Sequence, residues 1–140
     1  VRHYIAKSFL PDMGFTGVDL FGRGHNEIKY KSIGLNDYRF CIEVENGCAE
    51  NCFTEKLLDC FATGTVPIYW GCPNVGEFFD TEGILTFSSD DELKNIMQSL
   101  SKEKYDSMRG AVENNFELAM KYLQPDDMIY RIILENGYLD

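Results

Sequence analysis

The sequence predicts an α/β fold, one parallel sheet doubly wound with helices, and three observations predict it. Short apolar stretches beginning at Val18, Phe40, Val66 and Ile84 alternate with segments of helical periodicity. Residues 40–71 read as strand, polar loop, capped helix, strand, a unit that closes as a right-handed crossover with its loop at the carboxyl end of the first strand. No internal repeat, low-complexity stretch or linker divides the 140 residues, so one domain with one core is expected.

Taken in order, residues 2–10 carry Ile5, Phe9 and Leu10 at helical spacing and read as a short helix that stops before Pro11. Residues 18–22 are the first candidate strand, and residues 22–26 a glycine-rich turn whose Arg23 and His25 are a weak phosphate or proton-transfer signal. Lys29, Lys31, Ile33 and Leu35 suggest a short helix with its lysines on a solvated face. In residues 38–46, Phe40, Ile42 and Val44 alternate with period two, as a strand requires. After the loop of residues 47–52, Thr54 is a good N-cap, and Leu57, Leu58, Phe61 and Ala62 share one helical face that ends at Gly64. Residues 66–70 form the next strand, with Pro67 near its start, followed by a turn over 71–74.

Residues 73–80 read as a short closing helix and 84–87 as the last strand. Ser88, Ser89, Asp90 and Asp91 cap a helix to Leu100 that turns Leu93, Ile96, Met97 and Leu100 inward. Residues 102–122 form a charged amphipathic helix with Tyr105, Met108, Ala111, Val112, Phe116, Ala119 and Met120 as its buried stripe, and residues 126–136 a final helix.

A formal net charge of −10 argues against nucleic acid or an anionic membrane surface, both of which need clustered Lys and Arg. No apolar run reaches the roughly 20 residues that span a bilayer, and no signal-peptide pattern opens the chain. Cys41, Cys48, Cys52, Cys60 and Cys72 are odd in number and follow neither a zinc-knuckle nor a secreted-scaffold spacing. Reduced thiols in the cytoplasm, with no metal and no cofactor, are the expectation.

The chemistry concentrates where the crossover helix begins. Free N–H groups and a partial positive charge there suit a phosphate, Lys56 adds a full charge, and Glu55 offers a carboxylate suited to sugar hydroxyls. Neither residue belongs to the apolar stripe of that helix, so neither is expected to matter for folding.

Residues 38–74 resemble the donor-binding signature of the glycosyltransferase family 10 α-1,3/1,4-fucosyltransferases. That pattern runs tyrosine, basic residue, phenylalanine, then glutamate-asparagine, a short loop, tyrosine-valine-threonine-glutamate-lysine, and later proline-hydrophobic-tyrosine-x-glycine. The matching positions are Tyr38, Arg39, Phe40, Glu45, Asn46, Phe53, Thr54, Glu55, Lys56, Gly64, Pro67, Ile68, Tyr69, Trp70 and Gly71. The resemblance implies a Rossmann-like domain, the C-terminal half of a two-domain GT-B enzyme, that binds GDP-fucose for inverting transfer to a glycan acceptor. It implies donor contacts from Asn46, Thr54, Glu55 and Lys56, with Arg39, Glu45 and Asn74 as further candidates. Arg2 resembles the family's leading-helix arginine that reaches the donor pyrophosphate. Cys52 stands where the family has a tyrosine three residues before the glutamate, which removes an aromatic hydroxyl from the donor site.

Family 10 enzymes take their base from the acceptor domain, and no part of residues 1–140 resembles that domain. The chain therefore reads as a single donor-binding domain that needs a separate acceptor domain or chain, and no catalytic residue is assigned. Two other readings fit the same residues: a transferase for another nucleotide sugar, and a sugar-nucleotide binding module without catalysis.

Overall fold

The computed structural model describes residues 4–22 and 24–122. Its frame is a parallel three-stranded sheet, in spatial order β1 (Phe40–Val44), β2 (Val66–Trp70) and β3 (Leu85–Thr86). Helix α1 (Glu55–Thr63) connects β1 to β2, while α2 (Asp90–Ser99) and α3 (Lys102–Ala119) follow β3. Phe40 pairs with Val66 and Val44 with Trp70. The loop leaving β1 therefore starts beside the end of β2, and the Glu45 N–H donates to the Trp70 carbonyl at 2.9 Å.

Alternation along β1 separates two layers. Phe40, Ile42 and Val44 face a core shared with Ile5, Phe9 and Leu10 of the leading helical segment, Ile68 of β2 and Leu93 of α2. On the other side Leu57 and Phe61 of α1 pack with Tyr69, Val75, Phe79, Ile84 and Ala119. Helices on both faces of a parallel sheet make this a doubly wound α/β domain. Helix α1 is bounded as its sequence predicts, with the Lys56 N–H on the Thr54 hydroxyl at 3.4 Å and Gly64 closing it at φ 70°.

Four expectations need correction. Residues 18–22 are not a strand. Gly17, Gly22 and Gly24 all have positive φ, and the Gly22 and Asn26 amides bond locally to the carbonyls of Asn26 and Leu20, so this backbone folds on itself instead of joining β1. The leading helix runs through Pro11: a π-turn over Ile5–Phe9 continues as α-helix over Leu10–Asp12, and the Leu10 N–H on the Ile5 carbonyl and the Met13 N–H on the Phe9 carbonyl carry the turn past a proline that has no N–H to give. Lys31, in the 3₁₀ turn Lys31–Gly34, is exposed but not merely solvated, since its ammonium lies 3.2 Å from Glu55 and 2.8 Å from Asp59.

The fourth correction concerns α3, which buries Met108, Val112, Asn115 and Ala119 and leaves Phe116 and Met120 exposed. Asn115 takes the inward place because its amide satisfies both backbone groups of one residue, Asp80. Its Oδ1 accepts the Asp80 N–H at 2.7 Å, and its Nδ2 donates to the Asp80 carbonyl at 2.9 Å. The expected helix over residues 126–136 lies outside the described residues.

Candidate donor site

The loop between β1 and α1 is fixed at three points. At its start Glu45, which shares the α1-facing side of β1 with Cys41 and Glu43, is almost fully buried. Its carboxylate accepts the Thr54 N–H at 2.9 Å and the Thr54 hydroxyl at 2.8 Å, which joins the two ends of the loop. In the middle, Asn74 from the turn after β2 forms a reciprocal amide pair with Asn51. Its Oδ1 accepts the Asn51 N–H at 2.8 Å, and its Nδ2 donates to the Asn51 Oδ1 at 2.9 Å. At the end, Phe53 packs edge-on against Phe79 with ring centroids 5.0 Å apart.

Lys56 completes the clamp. Its ammonium donates to Glu45 Oε2 at 3.2 Å and to the Thr54 hydroxyl at 2.9 Å. An ammonium has three hydrogens, so one remains for a ligand. The Lys56 side chain is 18% exposed and the Glu45 side chain 4%, so the pair is screened from water on one side and open on the other. Glu55 stands outward at 62% exposure, and the hydrogen bond from Lys31 lowers its pKa below the usual glutamate value.

A cavity of about 1310 Å³ runs along the free edge of β1, bounded by residues 15–22, Lys31, Tyr38, the strand itself and the first turn of α1. Arg39, Glu55 and Lys56 line it together. Asn46 and Cys52 are exposed on the loop, and Thr54 and Glu45 are committed to each other beneath it. Glu45 and Asn74, read from the sequence as further donor contacts, hold the loop in place. Arg2 lies outside the described residues.

Sequence reasoning missed Glu43, whose carboxylate accepts from the Cys41 thiol at 3.3 Å and the Cys60 thiol at 3.9 Å. Burial pushes the Glu43 pKa up, and the neighbouring Cys41 together with burial pushes the Cys60 thiol well above its ordinary value. The only signal was a charged residue in the middle of an apolar strand.

A parallel α/β sheet with a cavity beside its first strand and a lysine at the crossover helix N-terminus is an arrangement suited to an anionic ligand. Residues 10–109 match the C-terminal region of glycosyltransferase family 10 (fucosyltransferase), and the chain belongs to that family. It is 33% identical over 82 residues to an α-(1,3)-fucosyltransferase of Helicobacter pylori, a match covering 59% of this chain and 16% of that protein. It is 32% identical over 72 residues to an α-(1,4)-fucosyltransferase of Arabidopsis thaliana, covering 49% of this chain and 18% of that protein. The chain thus spans under a fifth of the length of these curated relatives. A crystal structure of an α1,3-fucosyltransferase with GDP-fucose superposes with a TM-score of 0.57 at 30% identity, over 67% of this chain and 28% of that one. Among the described residues no helix is long and apolar enough to cross a membrane.

Proposed function

We propose that this chain is the donor-binding domain of an inverting fucosyltransferase, which binds GDP-fucose and presents it to a glycan acceptor held by a separate domain or chain. The observation that carries this reading is the cavity at the α1 N-terminus, lined by Arg39, Glu55 and Lys56, in a member of family 10. Lys56, with one ammonium hydrogen uncommitted, meets the diphosphate, and Arg39 and Arg2 add charge to it. Glu55 and Asn46 meet hydroxyl groups of the ribose or the sugar.

Transfer requires the departing diphosphate to be stabilised and the acceptor hydroxyl to lose a proton. Lys56, Arg39 and the helix amides serve the first need without a metal ion. The second falls to a base outside this chain, so donor binding with little transfer is the activity proposed for the chain alone. The five free thiols support a reducing, cytoplasmic setting.

Titration with GDP-fucose, GDP-mannose, UDP-glucose and GDP tests the proposal. Preference for GDP-fucose is the expected result. Cys52, in place of the family's tyrosine, favours a second reading in which the sugar differs, and preference for another nucleotide sugar would establish it. Equal affinity for GDP with and without a sugar would instead mark a nucleotide-binding module.

A further inference from the structure

Cys41 and Glu43 of β1 and Cys60 of α1 bring two sulfurs and a carboxylate oxygen within 4.8 Å of one another. We propose that these three residues bind one thiophilic divalent cation of the zinc type, which ties α1 to β1 one helical turn beyond Lys56.

The distances match a tetrahedral ion. Zinc bonds of about 2.3 Å to sulfur and about 2.0 Å to oxygen place ligand sulfur and oxygen about 3.5 Å apart. Glu43 Oε1 stands 3.3 Å from the Cys41 sulfur and 3.9 Å from the Cys60 sulfur, within a few tenths of an ångström of that separation, and the two sulfurs, inside 4.8 Å of each other, close to the roughly 3.8 Å of a zinc dithiolate by rotation of the cysteine side chains. Two thiolates select against magnesium and calcium, which take oxygen ligands. Cys41 and Glu43 line the large cavity, which supplies a route of entry and space for a water in the fourth position. No lysine or arginine among the described residues forms an ion pair with the Glu43 carboxylate, so its oxygens carry no cationic partner that a metal ion would have to displace. Binding displaces the thiol protons to solvent, and the bound set, two thiolates and a carboxylate around a doubly charged ion, carries one net negative charge. The ligand set joins two elements with no motif spacing, which is why the sequence does not announce it.

Co²⁺ added to the reduced full chain under anaerobic conditions reports this site through its thiolate charge-transfer absorption. The Cys48→Ser/Cys52→Ser background removes the two exposed thiols. In that background one equivalent of Co²⁺ should produce the band and Zn²⁺ should displace it. Cys41→Ser and the isosteric Glu43→Gln, each checked for unchanged circular dichroism, should weaken binding by at least about tenfold. In the unmutated ligand set, Zn²⁺ should also slow alkylation of Cys41. Absence of a charge-transfer band in the Cys48→Ser/Cys52→Ser background overturns the proposal, as does parent-like Co²⁺ affinity in Cys41→Ser.

Discussion

The Lys56 ammonium lies 3.2 Å from the buried Glu45 carboxylate, so the residue proposed to meet the diphosphate is also a structural partner of the loop that surrounds the site. Substitution should separate the structural contact from the proposed one. Lys56→Ala removes a charge-assisted donor from GDP, a loss of about 1.5–3 kcal/mol, or roughly ten- to a hundredfold in affinity. It also leaves Glu45 without a cation, at a cost of about 1–3 kcal/mol to the fold. This second effect corrects the expectation that Lys56 is irrelevant to folding. Glu45→Ala should cost more, about 3 kcal/mol, because it strands the Lys56 ammonium and the Thr54 N–H together. Calorimetric titration with GDP at a temperature well below the melting transition, alongside melting curves, reads both effects; a Lys56→Ala chain that binds GDP like the parent refutes the diphosphate role.

Glu55 should behave in the opposite way. Its ion pair with Lys31 is solvent-exposed, and such pairs contribute little. Glu55→Ala should melt within about 0.5 kcal/mol of the parent, retain affinity for inorganic diphosphate, and lose discrimination among sugars or riboses. Unchanged preference among the nucleotide sugars would remove Glu55 from the donor site.

Much of this arrangement was legible in the sequence, and the remainder has physical reasons for being hidden. The crossover unit was readable because its signals are local: period two in β1, Thr54 as cap, Gly64 as stop. The clamp was not, because Glu45 meets Thr54 and Lys56 nine and eleven residues later, across a loop whose path no periodicity encodes. Residues 18–22 have strand-like composition, yet the flanking glycines turn their backbone back on itself. In α3 the apolar pattern favoured Phe116, and the peptide at Asp80, 35 residues away, drew Asn115 inward instead.

Donor binding should be independent of divalent ions. The cavity's candidate contacts for the diphosphate are cations, Arg39 and Lys56, which perform the charge neutralisation a Mg²⁺ or Mn²⁺ ion would otherwise supply. Titration of metal-free protein with GDP in EDTA and again with Mn²⁺ should return the same dissociation constant. A tightening of more than about tenfold with Mn²⁺ would mean that a metal carries the diphosphate.

Gly71 supports the clamp by having no side chain. A Cβ at this position would lie 2.5 Å from Glu45 Cγ and 2.6 Å from the Tyr69 hydroxyl, and both side chains are held by hydrogen bonds, to Thr54 and to the Cys72 N–H. Neither can swing away cheaply. Gly71→Ala should therefore destabilise the chain by about 1–3 kcal/mol, the usual cost of overpacking, and weaken GDP binding by displacing the Glu45–Lys56 pair. Gly110, on the exposed side of α3, meets nothing within 4 Å and serves as the control. Gly110→Ala should melt at or above the parent because alanine favours the helix. Parent-like melting of Gly71→Ala would show that the Glu45 environment has slack.

Tyr69 links this packing to pH. It is buried on β2, its hydroxyl accepts the Cys72 N–H at 3.1 Å, and burial pushes its pKa up from 10.0 to about 12. A folded-state pKa above the unfolded one means that the native chain keeps its proton while the unfolded chain loses it. The stability from this group is then complete below about pH 10 and is lost as pH rises toward the folded value of about 12. Two pKa units correspond to at most about 2.7 kcal/mol. Urea unfolding between pH 8 and the alkaline limit should show this decline in the parent. Tyr69→Phe should start about 1–3 kcal/mol less stable at pH 8, since the buried Cys72 N–H loses its acceptor, and should then decline less steeply with pH. If the parent and Tyr69→Phe fall in parallel above pH 10, another group governs alkaline unfolding and Tyr69 titrates as an ordinary phenol.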